Sequence, residues 1–241
     1  MSGVLQDRVA LVTGVSRGLG RCVALAFARE GAHVIAVART QGALTELDDD
    51  IQAIGGSATL VPLDMTDYEG IDRLGGAVYE RWGKLDILVG NAAILGTLTP
   101  VGHIEPKQWD DVLAINLSAN FRLIRAFDPL LQQSDAGRAI FVTSGVTVKS
   151  PAFWGTYTVS KAALEAMVKT YANEIANTNV RANLLNPGAT RTDMRATAMP
   201  GEDPMTLPPP EEVAELYVEM AREEFDQNGA FIDYQTWRTG T

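Results

Sequence analysis

Seven short runs of mainly apolar residues recur along the chain, and within them the apolar residues follow one another without regular polar alternation. The runs cover residues 9–13, 34–38, 59–63, 85–89, 139–143, 180–185 and 230–232. Each of the first six precedes a segment long enough for a loop and a helix. Strands that are apolar throughout are typical of a sheet covered on both faces, and the strand–helix repetition makes that sheet parallel with right-handed crossovers. The pattern predicts a doubly wound, three-layer α/β fold around a seven-stranded parallel sheet.

The first apolar run ends in a glycine-rich turn. Residues 14–20 read Gly-Val-Ser-Arg-Gly-Leu-Gly, and residues 21–31 have helical composition and end on Gly31. Glycines let the backbone turn tightly and approach a pyrophosphate, whose charge then lies at the positive end of the following helix. Three glycines alone are equally compatible with an ordinary tight turn, so the flanking strand and helix decide in favour of a Rossmann-like dinucleotide site.

Tyr157 and Lys161 lie one turn apart in a segment, residues 155–163, that is predicted to be helical. This spacing places a phenol and an ammonium on the same face of the helix. A free tyrosine has a pKa of about 10, and a cation a few ångströms away stabilises the phenolate. The pair is therefore expected to exchange a proton near neutral pH, as a general acid or base does.

Together these motifs resemble those of the short-chain dehydrogenase/reductase family over essentially the whole chain. The family pattern TGxxxGxG matches residues 13–20, and YxxxK matches Tyr157 and Lys161. Further matches follow in order at residues 63–64, 91–93, 116, 144 and 186–192. Two departures are residues 90–93, Gly-Asn-Ala-Ala in place of Asn-Asn-Ala-Gly, and residues 231–237, which replace the usual glycine-ending tail. Residues 186–203 are similar to a bacterial reductase subgroup.

The resemblance implies a nicotinamide dinucleotide as cofactor. Its expected contacts are Gly14, Ser16, Arg17, Gly18, Leu19, Gly20, Arg39, Asp64, Met65, Asn91, Ala92, Tyr157, Lys161, Pro187, Gly188, Thr190 and Thr192. An acid at the end of the second strand would accept hydrogen bonds from the adenosine ribose and repel a 2′-phosphate, but residues 37–40 contain no acid. Arg39 and Arg17 instead offer guanidinium groups suited to phosphate, which favours NADP over NAD. Either arginine alone is also compatible with a surface position at a helix end.

The resemblance also implies a catalytic set. Tyr157 is the expected acid/base, Lys161 lowers the pKa of the phenol and holds the nicotinamide ribose, Ser144 binds the reacting oxygen, and Asn116 holds a water that links Lys161 to solvent. Thr190 and Thr192 are expected to orient the carboxamide, and the walls of the substrate pocket are expected at Trp154, Leu95 and Met194. The expected activity is hydride transfer between NADP(H) and a carbonyl or secondary alcohol.

Three other functions are compatible with some of these features. A 3-oxoacyl thioester reductase would dock an acidic carrier through a basic patch, and only Arg191 and Arg195 suggest such a patch. A dinucleotide sensor without turnover would not need the proton-transfer residues. A sugar-nucleotide epimerase or dehydratase would have a differently spaced glycine motif and a longer substrate domain.

The length and composition predict one domain, residues 1–241, because 46% of the residues are hydrophobic and no long linker interrupts them. The proline-rich stretch from Met194 to Pro210 is expected to be part of a substrate lid, about residues 190–210, in preference to a rigid connector. Pro210 and the two glutamates that follow it are also a good helix start. By resemblance, a homodimer or homotetramer would form through the helices that carry Asn116 and Tyr157.

The net charge and the positions of the acidic residues, histidines and cysteine argue against several kinds of ligand and site. A net charge of −10 argues against nucleic acid and anionic membranes. Residues 48–50, three aspartates, are expected to form a solvated helix face, and neither His33 nor His103 has neighbours at metal-ligand spacing, so no metal site is expected. Cys22, the single cysteine, is expected to be inert filler packed against the sheet. No signal peptide or membrane span is evident, which predicts a cytoplasmic protein.

Overall fold

Seven parallel strands form the central sheet of the computed structural model, which describes residues 3–240. The strands are β1 (Val9–Thr13), β2 (His33–Ala38), β3 (Ser57–Pro62), β4 (Ile87–Gly90), β5 (Arg138–Val142), β6 (Arg181–Asn186) and β7 (Phe231–Asp233). Their order across the sheet is β3-β2-β1-β4-β5-β6-β7, and every neighbouring pair is parallel. This confirms the predicted doubly wound fold and its strand number, with small differences at the strand ends.

Helices cover both faces of the sheet. They are α1 (Gly18–Arg29), α2 (Gln41–Ala53), α3 (Tyr68–Trp82), α4 (Pro106–Leu113), α5 (Ala119–Leu131), α6 (Val146–Lys149), α7 (Gly155–Glu174), α8 (Asp193–Ala198), α9 (Pro210–Ala221) and α10 (Tyr234–Thr239). One core lies beneath α1, α2 and α9, and the other beneath α3, α5 and α7. Val12 is fully buried in the first core and its neighbour Leu11 in the second, which explains why β1 is apolar throughout.

The sheet order reverses between β1 and β4, so the chain leaves a crevice beyond the carboxyl ends of these strands. Thr13 ties the two strands together at this point. Its hydroxyl donates to the carbonyl of Val89 at 3.1 Å and accepts from the backbone N–H groups of Asn91 and Ala92, both at 3.0 Å. The loops that bound the crevice are therefore fixed to the sheet at their first residues.

Buried charges connect the amino ends of the central strands, at the opposite end of the sheet from the crevice. Arg8 donates to the carbonyls of Ala221 at 2.5 Å and Asp86 at 3.2 Å, and burial lowers its pKa. The Asp86 carboxylate accepts from the N–H of Val9 at 2.9 Å and the hydroxyl of Ser134 at 2.5 Å. These contacts join segments far apart in the sequence, and no sequence pattern predicted them.

The contacts of Cys22 and His33 are with neighbouring side chains of the fold. Burial raises the pKa of the Cys22 thiol to about 12, which keeps it protonated at neutral pH. The thiol is partly buried, packs against the core beneath α1, α2 and α9, and lies 3.5 Å from Glu211 Oε1 of α9. The two ring nitrogens of His33 contact the hydroxyls of Ser57 and Thr59, each at 2.8 Å.

Residues 3–240 contain neither a cluster of metal ligands nor a helix that could span a membrane. No group of three or more His, Cys, Asp or Glu side chains in that range is placed to hold a metal ion. In the same range, every helix is too short or too polar to cross a bilayer.

Candidate active site

A cavity of about 950 Å³ opens at the carboxyl ends of the strands, near the upper limit of the roughly 300–1,000 Å³ typical of cofactor and ligand sites. It brings together every cofactor contact predicted from the sequence, from the glycine loop to Thr192. Ser144, Tyr157 and Lys161 also line it, as do the predicted pocket walls Leu95, Trp154 and Met194. Asn116 is the one predicted site residue that does not.

The glycine loop fits a pyrophosphate. Gly14 and Gly18 have φ values of +74° and +57°, and a Cβ on Gly14 would lie 2.9 Å from the Cα of Ala92. The first turn of α1 contains no acid, and its N-cap residue Arg17 makes no side-chain capping bond, so this helix end remains suited to an anion. The side-chain amide of Asn91 donates to the carbonyl of Thr13 at 2.8 Å and thereby anchors the loop.

Arg39 and Arg17 both line the cavity, and each is near a carboxylate. Arg39 Nη1 lies 3.7 Å from Asp64 Oδ2, and Arg17 Nη1 lies 3.4 Å from Asp193 Oδ2. Although partial burial raises the pKa of Asp64, hydrogen bonds from Thr66 and the charge of Arg39 hold it below its ordinary value. The two guanidinium side chains are 67% and 77% exposed, which leaves both accessible to a phosphate.

Tyr157 is buried on α7, at the first turn of that helix. Burial raises the pKa of its phenol to about 12, and a hydrogen bond with the side chain of Ser144 acts in the opposite direction. The ring packs edge-on against Trp154, with 6.0 Å between centroids. In this arrangement the phenol is protonated at neutral pH and can donate to an oxygen in the cavity.

Contrary to expectation, Lys161 does not bring the pKa of Tyr157 towards neutrality. Lys161 Nζ donates to the carbonyl of Val142 at 2.7 Å and lies 5.7 Å from the centre of the tyrosine ring. The ammonium is therefore held by β5, and burial of the phenol determines the direction of its pKa shift. Burial also lowers the pKa of Lys161 to about 8.

Asn116 lies in a π-helical turn, Ala114–Ser118, that joins α4 to α5. Its side chain accepts from the N–H of Ile94 and donates to the carbonyl of the same residue, both at 2.9 Å. It also donates to the hydroxyl of Ser160 at 3.1 Å, which connects this turn to α7. Asn116 thus fixes the loop that carries Leu95, and its expected role in holding a water stays a prediction.

Asn186 forms a connection that the sequence analysis missed. Its side-chain oxygen accepts from the N–H groups of Gly145 and Gly188, each at 3.1 Å, and its amide donates to Asp233 Oδ2 at 2.6 Å. Asp233 also caps α10 by accepting from the N–H of Gln235 at 2.9 Å. The tail therefore holds the two loops that carry Ser144 and Thr190. A helix-capping aspartate in the atypical tail was the available signal.

Comparison with known proteins identifies the relatives of this chain. A model of the short chain dehydrogenase family matches residues 8–203. The uncharacterized oxidoreductase YciK of Escherichia coli K12 is 38% identical over 218 residues, which cover 89% of this chain and 86% of that protein. The 3-oxoacyl-[acyl-carrier-protein] reductase FabG of Thermotoga maritima is 31% identical over 228 residues, covering 91% and 92%.

A solved structure supports the same assignment. A short chain dehydrogenase from Shigella flexneri 2a, complexed with NADP, has a TM-score of 0.93 and 36% identity over 98% of this chain and all of that one. The expected resemblance to a bacterial reductase subgroup is confirmed by YciK. The match to the family model covers both the glycine loop and the Tyr157–Lys161 pair. The chain belongs to the short-chain dehydrogenase family of oxidoreductases.

Proposed function

We propose that this protein is an NADP(H)-dependent oxidoreductase that interconverts a carbonyl and a secondary alcohol, with Tyr157 as the acid/base. The observation that carries the proposal is the buried phenol of Tyr157, which lines the same cavity as Ser144 and the glycine loop. A proton donor and a dinucleotide cradle in one cavity are the two parts that hydride transfer to a carbonyl requires.

When bound, the nicotinamide would supply or accept the hydride. Tyr157 gives its proton to the carbonyl oxygen in reduction and takes it back in oxidation, while Ser144 hydrogen-bonds the same oxygen. Lys161 is largely charged at neutral pH, because its pKa is about 8, and its place beneath the cavity suits a ribose hydroxyl. Burial raises the pKa of the Tyr157 phenol, so at neutral pH the group keeps the proton that it would donate to a carbonyl oxygen.

NADP is the proposed cofactor in preference to NAD. Arg39 and Arg17 line the cavity, and β2 ends without an acid that would accept from the ribose and repel a 2′-phosphate. The NADP bound in the related Shigella protein is consistent with this choice.

A Tyr157→Phe variant tests the proposed chemistry. NADPH absorbance is followed while ketones, aldehydes, quinones and 3-oxoacyl thioesters are supplied. The variant should bind NADPH nearly as the wild type does, yet lose turnover by the roughly 10²- to 10⁴-fold that general acid catalysis supplies. Tyr171→Phe is the control, since Tyr171 lies on the same helix but bonds Asp128 at 2.7 Å, away from the cavity. Near-wild-type turnover in Tyr157→Phe would remove Tyr157 from its role.

Reduction of 3-oxoacyl thioesters is a second candidate, favoured by the similarity to FabG. The basic patch that an acidic carrier would need is weaker than the sequence suggested, because Arg195 is paired with Glu202 at 2.6 Å. A wild type that binds NADPH but reduces no carbonyl would instead favour a dinucleotide sensor.

We further propose that residues 1–241 form a single domain and that about residues 190–210 cover the substrate. The exposed apolar side chains Phe121 on α5 and Val159 on α7, 50% and 44% accessible, support a homodimer or homotetramer through these helices.

A further inference from the structure

We infer that the substrate side of the cavity contains an anion subsite formed by Arg191 and Lys149, and that the substrate is an apolar carbonyl compound carrying a carboxylate or phosphate group. This inference rests on the proposed carbonyl reduction. It names the chemical class of the substrate, which the proposed function leaves open.

The pairing of charges in the cavity supports the subsite. Six cationic side chains line it: Arg17, Arg39, Lys149, Lys161, Arg191 and Arg195. Arg17 and Arg39 each face an aspartate, Arg195 makes a two-pronged contact with Glu202, and Lys161 bonds a backbone carbonyl. Within residues 3–240, Arg191 and Lys149 form no salt bridge. The guanidinium of Arg191 instead contacts the sulfur of Met205 at 3.2 Å.

The carboxylates of the cavity do not neutralise these two cations. Asp64 and Asp193 face Arg39 and Arg17, and the oxygens of Asp233 accept from Asn186 and from the first turn of α10. The chain has a net charge of −10, so a concave site in which cationic side chains outnumber carboxylates has the opposite sign of charge to the molecule as a whole. Low-dielectric walls focus such a field on a bound anion.

Both cations line the cavity and belong to chain segments that carry residues proposed to act at its reacting end. Arg191 directly follows Thr190, and Lys149 ends α6, the short helix that begins just after Ser144. The glycine loop, Arg39 and Met65, which would hold the pyrophosphate and adenosine of the cofactor, belong to other segments.

Exposed apolar side chains line the same cavity as the two cations. Val148, Met194 and Met199 line the cavity and are 79%, 36% and 39% exposed. Exposed apolar surface around a ligand cleft is characteristic of a binding surface. An apolar body with one anionic end satisfies both observations.

The test compares a medium-chain keto acid with its methyl ester, using NADPH and the full-length protein. The wild type should prefer the acid in kcat/KM by about 10-fold or more, the effect of one charge-assisted hydrogen bond, and added salt should reduce this preference. Arg191→Gln should lower the acid-to-ester ratio about 10-fold. Lys149→Gln should lower it less, since Lys149 is exposed whereas Arg191 is partly buried. Arg195→Gln, which removes a paired cation, should change both substrates equally.

Two further measurements separate the possible failures. Calorimetric binding of decanoate to the NADPH complex tests the subsite without turnover, and it should be lost in Arg191→Gln even if no carbonyl is reduced. Turnover of a 3-oxoacyl coenzyme A is compared with that of its N-acetylcysteamine analogue, which lacks the phosphates. This comparison distinguishes recognition of a phosphate from recognition of a carboxylate. Equal use of acid and ester by the wild type, decanoate binding that Arg191→Gln leaves intact, or an equal loss of NADPH affinity in that variant would each overturn the inference.

Discussion

Removal of the Arg39 guanidinium should weaken NADPH binding much more than NADH binding. A charge-assisted hydrogen bond to phosphate contributes about 1.5–3 kcal/mol, or roughly 10- to 100-fold in affinity. Because the side chain is 67% exposed and lies 3.7 Å from Asp64, solvent screening and this competitor place the effect near the lower end, about 10-fold. The exposed pair with Asp64 contributes only about 0–1 kcal/mol, so its loss does not cancel the effect. Arg17→Ala should behave similarly.

A double substitution, Ala38→Asp with Arg39→Ala, should invert the preference. Ala38 ends β2 and lines the cavity, and its carbonyl accepts from the N–H of Leu63 at 2.9 Å, which places the new carboxylate near the segment that carries Asp64. A carboxylate at position 38 would accept from the ribose hydroxyls of NADH and repel the 2′-phosphate of NADPH.

Fluorescence titrations of both cofactors at fixed ionic strength measure these effects. Arg73→Ala is a matched control, because the Arg73 side chain is 68% exposed and pairs with Asp67 outside the cavity. The reasoning is refuted if the wild type binds NADH as tightly as NADPH, or if the Arg39 variant weakens both cofactors equally.

Three further predictions concern proton transfer, the tail and the buried lysine. The kcat of NADPH-dependent reduction should be constant from about pH 6 to 8, because a Tyr157 pKa of about 12 keeps the phenol protonated. It should fall above pH 8 as Lys161 loses its charge. A kcat that falls below pH 7 would contradict this prediction. Asp233→Asn should keep the cap of α10 but lose the bond to Asn186, so kcat should drop about 10-fold with little change in Tm. Asp233→Ala should lose both the cap and the bond to Asn186. Unchanged kcat in Asp233→Asn would rule out a role of this bond in turnover. Lys161→Met should stabilise the protein at pH 7 and lose that advantage by pH 10, as denaturant titrations would show.

The fold was predictable because its signal is local. The central strands are apolar on both faces, as Leu11 and Val12 of β1 show, and each glycine turn or helix start is encoded in a few consecutive residues. Pro210 followed by two glutamates begins α9 as the sequence indicated. Such features need no knowledge of distant segments, so a single sequence suffices to find them.

Contacts between distant segments were not predictable in the same way. Asn186 meets Asp233 across 47 positions, and Lys161 meets the Val142 carbonyl only because α7 packs against β5. The helical spacing of Tyr157 and Lys161 correctly placed them in one cavity, but it could not show which acceptor the ammonium would reach. The π-helical turn at Asn116 was equally hidden, since a turn of five residues is too short for a periodicity of its own to be recognised in the sequence.

Lys161 is a fully buried cation, and its charge should measurably lower the free energy of unfolding. Its pKa is lowered by burial from 10.5 to about 8, which corresponds to about 3 kcal/mol. Below pH 8 the amine is charged in both states, so the cost is complete; between pH 8 and 10.5 the unfolded chain binds more protons, and stability rises with pH. The raised pKa values of Cys22 and Tyr157 lower stability only above about pH 9 and pH 10 respectively, so the interval from pH 8 to 9 isolates the lysine.

Lys161→Met should therefore gain about 2 kcal/mol at pH 7, after about 1 kcal/mol is subtracted for the lost bond to the Val142 carbonyl. Titration of the exposed lysines is common to both proteins and cancels in the difference between them. A difference that stays constant from pH 7 to 10 would show that the ammonium is not desolvated. A gain in stability together with a loss of turnover would instead show that this charge is retained in the core for the reaction, since it weakens the fold that holds it.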